Sequence, residues 1–305
     1  MDYKRLIPSR RLRLKLLSLL DWVPDTLMVR FQYRLATGRW PNLRQPERFT
    51  EKLQWYKLHW RDPLMERCAD KYEVRDYVRS CGLGNLLNEC YGVFDSPEEL
   101  DFAALPERFV LKDTLGGGGN EILFVRKSDV CDEAALRERL ASWVKHSPAA
   151  KNCGREWVYE GRRHRILAER WLTPDEEAGL AEYKLFCFGG RVGFLYVQDC
   201  RILGHSVPTG IFLPDGRKRS VRVKRQPECR RSVVSQELLG ELIHYAEQLA
   251  APVPHARVDF LYAQGRIMFG ELTFFDGSGY TCFEPDSFDF EVGRMFVLPD
   301  GNGVA

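Results

Sequence analysis

The sequence predicts an α+β fold with antiparallel sheets, and three stretches carry that reading. Residues 257–279, RVDFLYAQGRIMFGELTFFDGSG, read as two strands around a turn at Gln264-Gly265. Residues 108–127 read as a strand, a glycine-rich turn and a second strand. Residues 182–199 read as two further strands around Gly189-Gly190. In each case a short turn joins strand to strand, which antiparallel pairing requires and a parallel sheet does not allow.

Composition bounds the rest. A chain of 305 residues with 44% hydrophobic and 29% charged side chains can hold two subdomains around a large core. It contains no apolar run of about 18 residues, so no membrane-spanning helix is expected. No apolar stretch with a cleavage site follows Lys4-Arg5, so no secretory signal is expected. Nine cysteines are scattered without a CxxC pair, which argues for a reducing cytoplasm over a zinc site or a disulfide framework. A net charge of +2 excludes a nucleic-acid binder by charge alone.

The elements follow in order. Residues 1–45 form a basic helical arm: Lys4, Arg5, Arg10, Arg11, Arg13, Lys15, Arg30, Arg34, Arg39 and Arg44 outnumber Asp2, Asp21 and Asp25. Leu12, Leu16, Leu19 and Leu20 suit one helical face after Ser9, and Pro24 interrupts it. Such a face fits an anionic membrane surface through residues 1–40, or packing on the body of the protein. Residues 46–105 form a helical first part of the main module. Thr50 begins the helix TEKLQWYKLHW, and Asp62-Pro63 begins another that runs to Gly82. Residues 91–94 are a short strand and 97–105 an acidic loop. Residues 106–300 form the core, with helices at 132–146 and 235–250, a strand at RILAERWL (165–172) and an irregular basic stretch at 201–232.

Several residues carry candidate chemistry. Alternation places Arg257 and Asp259 on one strand face, and Ile267, Phe269, Glu271 and Thr273 on one face of the next strand. The hairpin can thus bring Asp259 and Glu271 together, a pair that repels unless a cation or proton lies between. Mg²⁺ with nucleotide phosphates suits such a pair. Glycines 116–119 expose consecutive N–H groups, a nest for phosphate oxygens. No Gly-Lys-Ser/Thr follows, so this is not a P-loop, and no helix follows, so it is not a dinucleotide fingerprint. Lys112 enters that loop and Lys184 lies among apolar neighbours. A lysine in either setting asks for an anion. Arg201 and Arg257 add cations for phosphate or carboxylate. The strand end Glu169, Arg170, Trp171, Leu172 can pair its backbone with an adenine edge, with Trp171 and Leu172 around the ring.

The order ADKYEVRDYV, FVLK before the glycine loop, ILAERWL, EYKLFCFGGR, then RVDF…GELTFFDGSG resembles the ATP-grasp superfamily. TEKLQWYKL, RDPL, CADKY-x-VR and LPERFVLK narrow the resemblance to its TupA-like family, named for teichuronopeptide biosynthesis. The resemblance implies two α+β subdomains with antiparallel sheets gripping ATP. It implies that Lys71 and Lys112 hold phosphates beneath Gly116, Gly117, Gly118 and Gly119, that Glu169 to Leu172 form the adenine hinge, and that Lys184 lies near the nucleotide. It implies Mg²⁺ on Asp259 and Glu271, with Thr273 where many ATP-grasp proteins have Asn, and Arg257 beside the transferring phosphoryl group. Two further departures stand out: the loop reads Thr114-Leu115-Gly116-Gly117-Gly118 where the family has N-H-G-S-G, and Glu182 stands where Asp is expected.

The resemblance implies an ATP-dependent carboxylate–amine ligase of surface polysaccharide synthesis, working through an acyl-phosphate. The expected partners are a glycan or glycolipid precursor with an anionic group, for which the basic stretch Arg217 to Arg231 is suited, and an amino acid or other amine. The alternatives are a phosphotransferase on a glycan hydroxyl, a glycosyltransferase-like protein, or a non-catalytic nucleotide-binding protein. No nucleic acid is expected. The expected location is cytoplasmic, with peripheral contact to the inner face of the membrane.

Overall fold

The computed structural model describes residues 16–117, 121–144, 151–172, 181–198, 207–229 and 235–300. Among the described residues, helical residues 16–18 are followed by α1 (Asp25–Thr37), α2 (Phe49–His59), α3 (Pro63–Ala69) and α4 (Val74–Ser80). Pro24 sits at the N-cap of α1, where its fixed φ and missing N–H cost nothing.

The stretch from Asp62 to Gly82 is two helices, not the single one expected. Asp62 caps α3 by accepting the Leu64 amide at 2.8 Å. Asp70 then breaks it: its carboxylate accepts the amides of Tyr72 at 2.8 Å and Glu73 at 3.0 Å. The Lys71 amide leaves the helix and donates to the Thr114 carbonyl at 2.9 Å. A side-chain acceptor competing for backbone amides ends one helix and caps the next. The break sets Lys71 beside the glycine-rich loop.

A first sheet follows, built from β1 (Cys90–Phe94), β2 (Arg108–Asp113), β3 (Ile122–Arg126) and β4 (Ile166–Arg170) in the order β1-β4-β2-β3, antiparallel throughout. One face, with Phe109, Leu111, Val125, Ile166 and Ala168, packs on Leu140 and Trp143 of α5 (Glu133–Val144). Alternation sends Val110, Lys112, Leu167 and Glu169 to the other face.

The second sheet contains β5 (Ala181–Phe188), β6 (Arg191–Gln198), β7 (Thr209–Phe212), β9 (His255–Ala263) and β10 (Arg266–Thr273), in the order β10-β9-β5-β6-β7. Its strands β5, β6 and β9 pack on α6 (Gln236–Ala250), which Ser235 caps. The basic stretch 201–232 is thus not wholly irregular: it supplies β7, and β8 (Arg222–Val223), which pairs with β11 (Phe283–Glu284). β7 is only four residues long and contains Gly210, so its pattern is too short to stand out. Helix α7 (Ser287–Met295) closes the described chain.

The β9–β10 hairpin forms as expected, with φ of 53° at Gln264 and 68° at Gly265, both in the region a type I′ turn demands. Strict alternation along β10 fails, however. The register steps between Phe269 and Glu271, with Gly270 as the extra residue of a bulge. A Cβ on Gly270 would lie 3.0 Å from the Asp259 carbonyl oxygen, so glycine permits this approach. Phe269 consequently pairs with Phe260 in the core, their ring centroids 6.4 Å apart, while Glu271 pairs with Asp259.

His255 takes a structural place in the core. It stacks on Phe188 at 4.8 Å and meets Phe49 edge-on at 5.3 Å. Its Nδ1 is 2.8 Å from the Cys187 carbonyl, and its Nε2 has no partner among the described residues. Burial, only partly offset by that carbonyl, lowers its pKa from 6.5 to about 4. The native state therefore stays neutral while the unfolded chain binds a proton, so stability falls as pH drops from 6.5 to about 4. The loss should reach on the order of 3 kcal/mol. Urea unfolding at both pH values should show it in the wild type and not in His255→Phe; an equal loss in both would refute the assignment.

Candidate functional site

A line of polar side chains crosses the second sheet. The register pairs Glu271 of β10 with Asp259 of β9, Asp259 with Lys184 of β5, and Lys184 with Tyr196 of β6. Thr273 and Arg257 pair in the next line. Directly opposed residues share a face with their Cβ atoms about 5 Å apart, so the register itself builds the cluster.

Arg257 is its centre. Nε donates to Asp259 Oδ1 and Nη2 to Asp259 Oδ2, each at 2.6 Å, the bidentate fork that suits a planar guanidinium. Nη2 also reaches Glu271 Oε1 at 2.9 Å, and Nη1 donates to Asp276 Oδ1. Lys184 Nζ donates to Asp259 Oδ2 at 2.5 Å and to Glu182 Oε1 at 2.7 Å. Burial opposes charge on every member and ion pairing supports it, and the balance differs from one to the next. Burial works against ionisation of Glu271, but Arg257, Lys71 and Lys184 override it and hold that carboxyl down to about 2. For Asp259 burial prevails and raises the pKa despite Arg257 and Lys184. The carboxylates of Asp259 and Glu182 keep Lys184 protonated against its burial.

Asp276 is a site residue that the sequence reading missed. The loop after β10 turns back through left-handed Gly277, Ser278 and Gly279, with φ of 52°, 54° and 72°. That turn aims the Asp276 carboxylate at Arg257. The signal was present as an acid followed by Gly-Ser-Gly. Helix α2 holds the loop from behind: Gln54 Nε2 donates to the carbonyls of Ser278 at 2.9 Å and Gly279 at 2.8 Å, and Lys57 Nζ donates to Ser278 at 2.9 Å.

The first sheet presents the opposing surface. Glu169 is buried and paired with Lys112 at 2.7 Å and with Arg75 at 2.9 Å. Arg75, within the ADKYEVRDYV motif, was not anticipated either. Lys71 Nζ donates to the Gly116 carbonyl at 2.5 Å. A cavity lies between the sheets, lined by Lys71, Arg75, Lys112, Glu169 and Leu172 on one side and by Leu261, Phe269 and Gly270 on the other. A hollow between α6 and the β9–β10 turn, lined by Glu237, Glu241, Tyr262 and Arg266 among others, has no such convergence of lysines.

The expected hinge residues divide. Leu172 lines the cavity. Trp171 does not; its ring packs on Phe124 with centroids 5.2 Å apart. The Arg170 side chain is exposed, while its backbone bonds Glu89 and the Asn88 side chain. In the glycine loop the Gly116 amide closes a tight turn on the Asp113 carbonyl at 3.1 Å, and a Cβ on Gly117 would meet nothing within 4 Å. Gly118, Gly119 and Arg201 lie outside the described residues. The basic stretch is largely compensated: Arg217 pairs with Asp215, Lys218 with Glu228, Arg219 with Glu291 and Arg222 with Glu284.

A family model for TupA-like ATP-grasp proteins matches residues 51–297. The chain belongs to the TupA-like ATP-grasp family. No curated protein matches it. Among solved structures, D-alanine–D-alanine ligase from Bacillus anthracis is 14% identical with a TM-score of 0.43, over 68% of this chain and 57% of that one. The ADP complex of PurK, an N5-carboxyaminoimidazole ribonucleotide synthetase, is 19% identical with a TM-score of 0.44, over 72% and 49%. The ATP-grasp ligase PsnB, solved with a precursor variant, Mg and ADP, is 14% identical with a TM-score of 0.39, over 74% and 57%. The chain thus spans roughly half the length of these proteins.

The donor set of this ATP-grasp protein fits Mg²⁺. Among the described residues no three His, Cys, Asp or Glu side chains form a metal cage. A nucleotide-bound Mg²⁺ needs none, because phosphates and waters complete its shell around one or two carboxylates. Glu271 is ionised, its side chain is 40% exposed, and only its Oε1 accepts hydrogen bonds from described residues. Asp259 accepts three, leaving about one of its four lone-pair sites. Thr273 Oγ1 donates to Glu271 Oε1 at 3.1 Å and keeps its own lone pairs for a ligand.

Two outcomes follow. Mg-ATP at about 100 times its Kd should stabilise the wild type by about 2.7 kcal/mol. Glu271→Gln should lose the magnesium-dependent part of that thermal shift; a full shift in the variant would remove Glu271 from the site. Asp276→Ala strands a buried guanidinium donor and should cost about 3–5 kcal/mol in urea unfolding. Glu271→Gln, at a half-exposed pair, should cost less than about 1 kcal/mol.

Proposed function

We propose that the protein is an ATP-dependent carboxylate–amine ligase acting on a surface-glycan precursor, through an acyl-phosphate. The observation that supports the reading is a convergence of charge: Lys71, Arg75 and Lys112 line one wall of the cavity, and the β9–β10 hairpin that supplies the other wall carries Arg257 within a carboxylate cluster that also holds Lys184. Phosphoryl transfer asks a protein for position and charge compensation more than for a nucleophile of its own.

In this reading Lys71 and Lys112 exchange their present contacts, a carbonyl and Glu169, for phosphate oxygens. Leu172, Leu261 and Phe269 give the base an apolar bed. Asp259, Glu271 and Thr273 would hold Mg²⁺, which when bound adds charge compensation at the phosphate oxygens. The substrate carboxylate attacks the γ-phosphorus; the new O–P bond forms as the bond to ADP breaks. Arg257 offsets the charge shared by the transferring oxygens. The amine then attacks the acyl carbon, phosphate leaves with the bonding pair, and the amine proton passes to phosphate or water. The products are an amide, ADP and inorganic phosphate. The carboxylate would be that of a uronic acid and the amine that of an amino acid.

The experiment measures ADP and phosphate together, with Mg-ATP, a uronic-acid oligosaccharide and an amino-acid mixture. Phosphate equal to ADP, and dependent on both acceptors, is expected. ADP without phosphate, accompanied by a phosphorylated glycan, would instead identify a phosphotransferase.

A further inference from the structure

Helix α1 is docked by one face and bare on the other. Met28, Val29 and Tyr33 are buried, Tyr33 Oη shares a 2.9 Å hydrogen bond with Thr50 Oγ1, and Gln32 Nε2 donates to the Cys153 carbonyl at 2.8 Å. Leu27, Phe31 and Leu35 follow one another at four-residue spacing on the opposite side, and each is at least half exposed. Trp40 extends that row, edge-on to Phe31 at 5.6 Å. Trp22, three residues ahead of the helix, is 79% exposed. Arg30 and Arg34, also at four-residue spacing and exposed, form the adjoining row. All the exposed large apolar side chains among the described residues fall within residues 16–40, save Phe124 and Val297. A soluble surface rarely gathers its apolar groups in this way without a partner.

We propose that this face docks on an anionic membrane surface. Leucine, phenylalanine and tryptophan on one row with arginines beside it is the pattern of a helix lying in the headgroup plane. Charge chooses the occupant. Residues 1–48 carry eleven Lys and Arg, the arm's ten and Arg48, against Asp2, Asp21, Asp25 and Glu47. A second copy of the chain, meeting this face by two-fold symmetry, would bring Arg30 and Arg34 against their own equivalents. Anionic headgroups accept the arginines while the acyl boundary accepts Leu27, Phe31 and Leu35. Docking through the free face leaves the buried face on the body undisturbed.

Vesicle co-sedimentation of the full chain tests this, with phosphatidylcholine alone and with an equimolar phosphatidylcholine–phosphatidylglycerol mixture. The wild type should bind the anionic vesicles, and added salt should weaken binding. Arg30→Gln/Arg34→Gln should lower partitioning about 30-fold. Leu27→Ser/Phe31→Ser/Leu35→Ser should lower it more than about tenfold. Unchanged circular dichroism and an unchanged Mg-ATP thermal shift would show both variants to be folded. A wild type that stays in the supernatant with anionic vesicles would overturn the proposal. So would a serine variant that binds as well as the wild type, or dimerisation through α1 without vesicle binding.

Discussion

A guanidinium that has left water must be surrounded by anions, and much of this structure can be read as the consequence of burying Arg257. Three carboxylates meet it, and each needs a separate device. Asp259 comes from the same strand two residues on, so alternation alone delivers it. Glu271 comes from the neighbouring strand and reaches the right line only because Gly270 bulges. Asp276 comes from a loop that must pass through three left-handed residues. The resulting excess of negative charge recruits Lys184, itself balanced by Glu182. Arg257 and Lys184 still face four carboxylates, a balance that a bound divalent cation would even out.

The opposing sheet solves the inverse problem. Its cleft face carries Lys112, with Lys71 delivered by the break between α3 and α4, and one buried carboxylate, Glu169, shared by Lys112 and Arg75. The proposed nucleotide and its metal would lie between these two surfaces. Lys71 illustrates the coupling. It bonds the Gly116 carbonyl, yet its charge is felt by Glu271 across the cavity. In the proposed reading a nucleotide phosphate would replace Lys71's contact to a carbonyl oxygen with a charge-assisted one, a favourable exchange in a low-dielectric cleft.

The parts of this arrangement that depend on local pattern were legible in the sequence. The hairpin turn at Gln264-Gly265 follows from residues that tolerate positive φ, whereas the meeting of Asp259 with Glu271 needs the bulge as well as the hairpin. Lys71, Lys112 and Leu172 line one cavity. The rest depends on events that a periodicity does not record. Gly270 shifts Phe269 and Glu271 out of step because a backbone carbonyl sits where a Cβ would be. Asp70 cuts a helix in two because its carboxylate outcompetes the backbone for two amides. Trp171, just after β4, finds Phe124 on β3, which is not β4's neighbour in the sheet, so no local rule places it. Asp276, Arg75 and Gln54 act through partners more than 15 residues distant.

The same long-range contacts tie the first helix to the centre of the site. Tyr33 of α1 bonds Thr50 of α2; Gln54 and Lys57 of α2 bond the loop 277–279; the loop carries Asp276, and Asp276 holds Arg257. Every link is buried or half-buried, so the docked face of α1 and the carboxylate cluster belong to one packed body. This explains why a helix can afford a bare outer row of Leu27, Phe31 and Leu35. Its stability comes from Met28, Val29 and Tyr33 on the other side, and the outer row is free to serve a surface. A surface that holds that row would be linked to Arg257 through this chain of contacts.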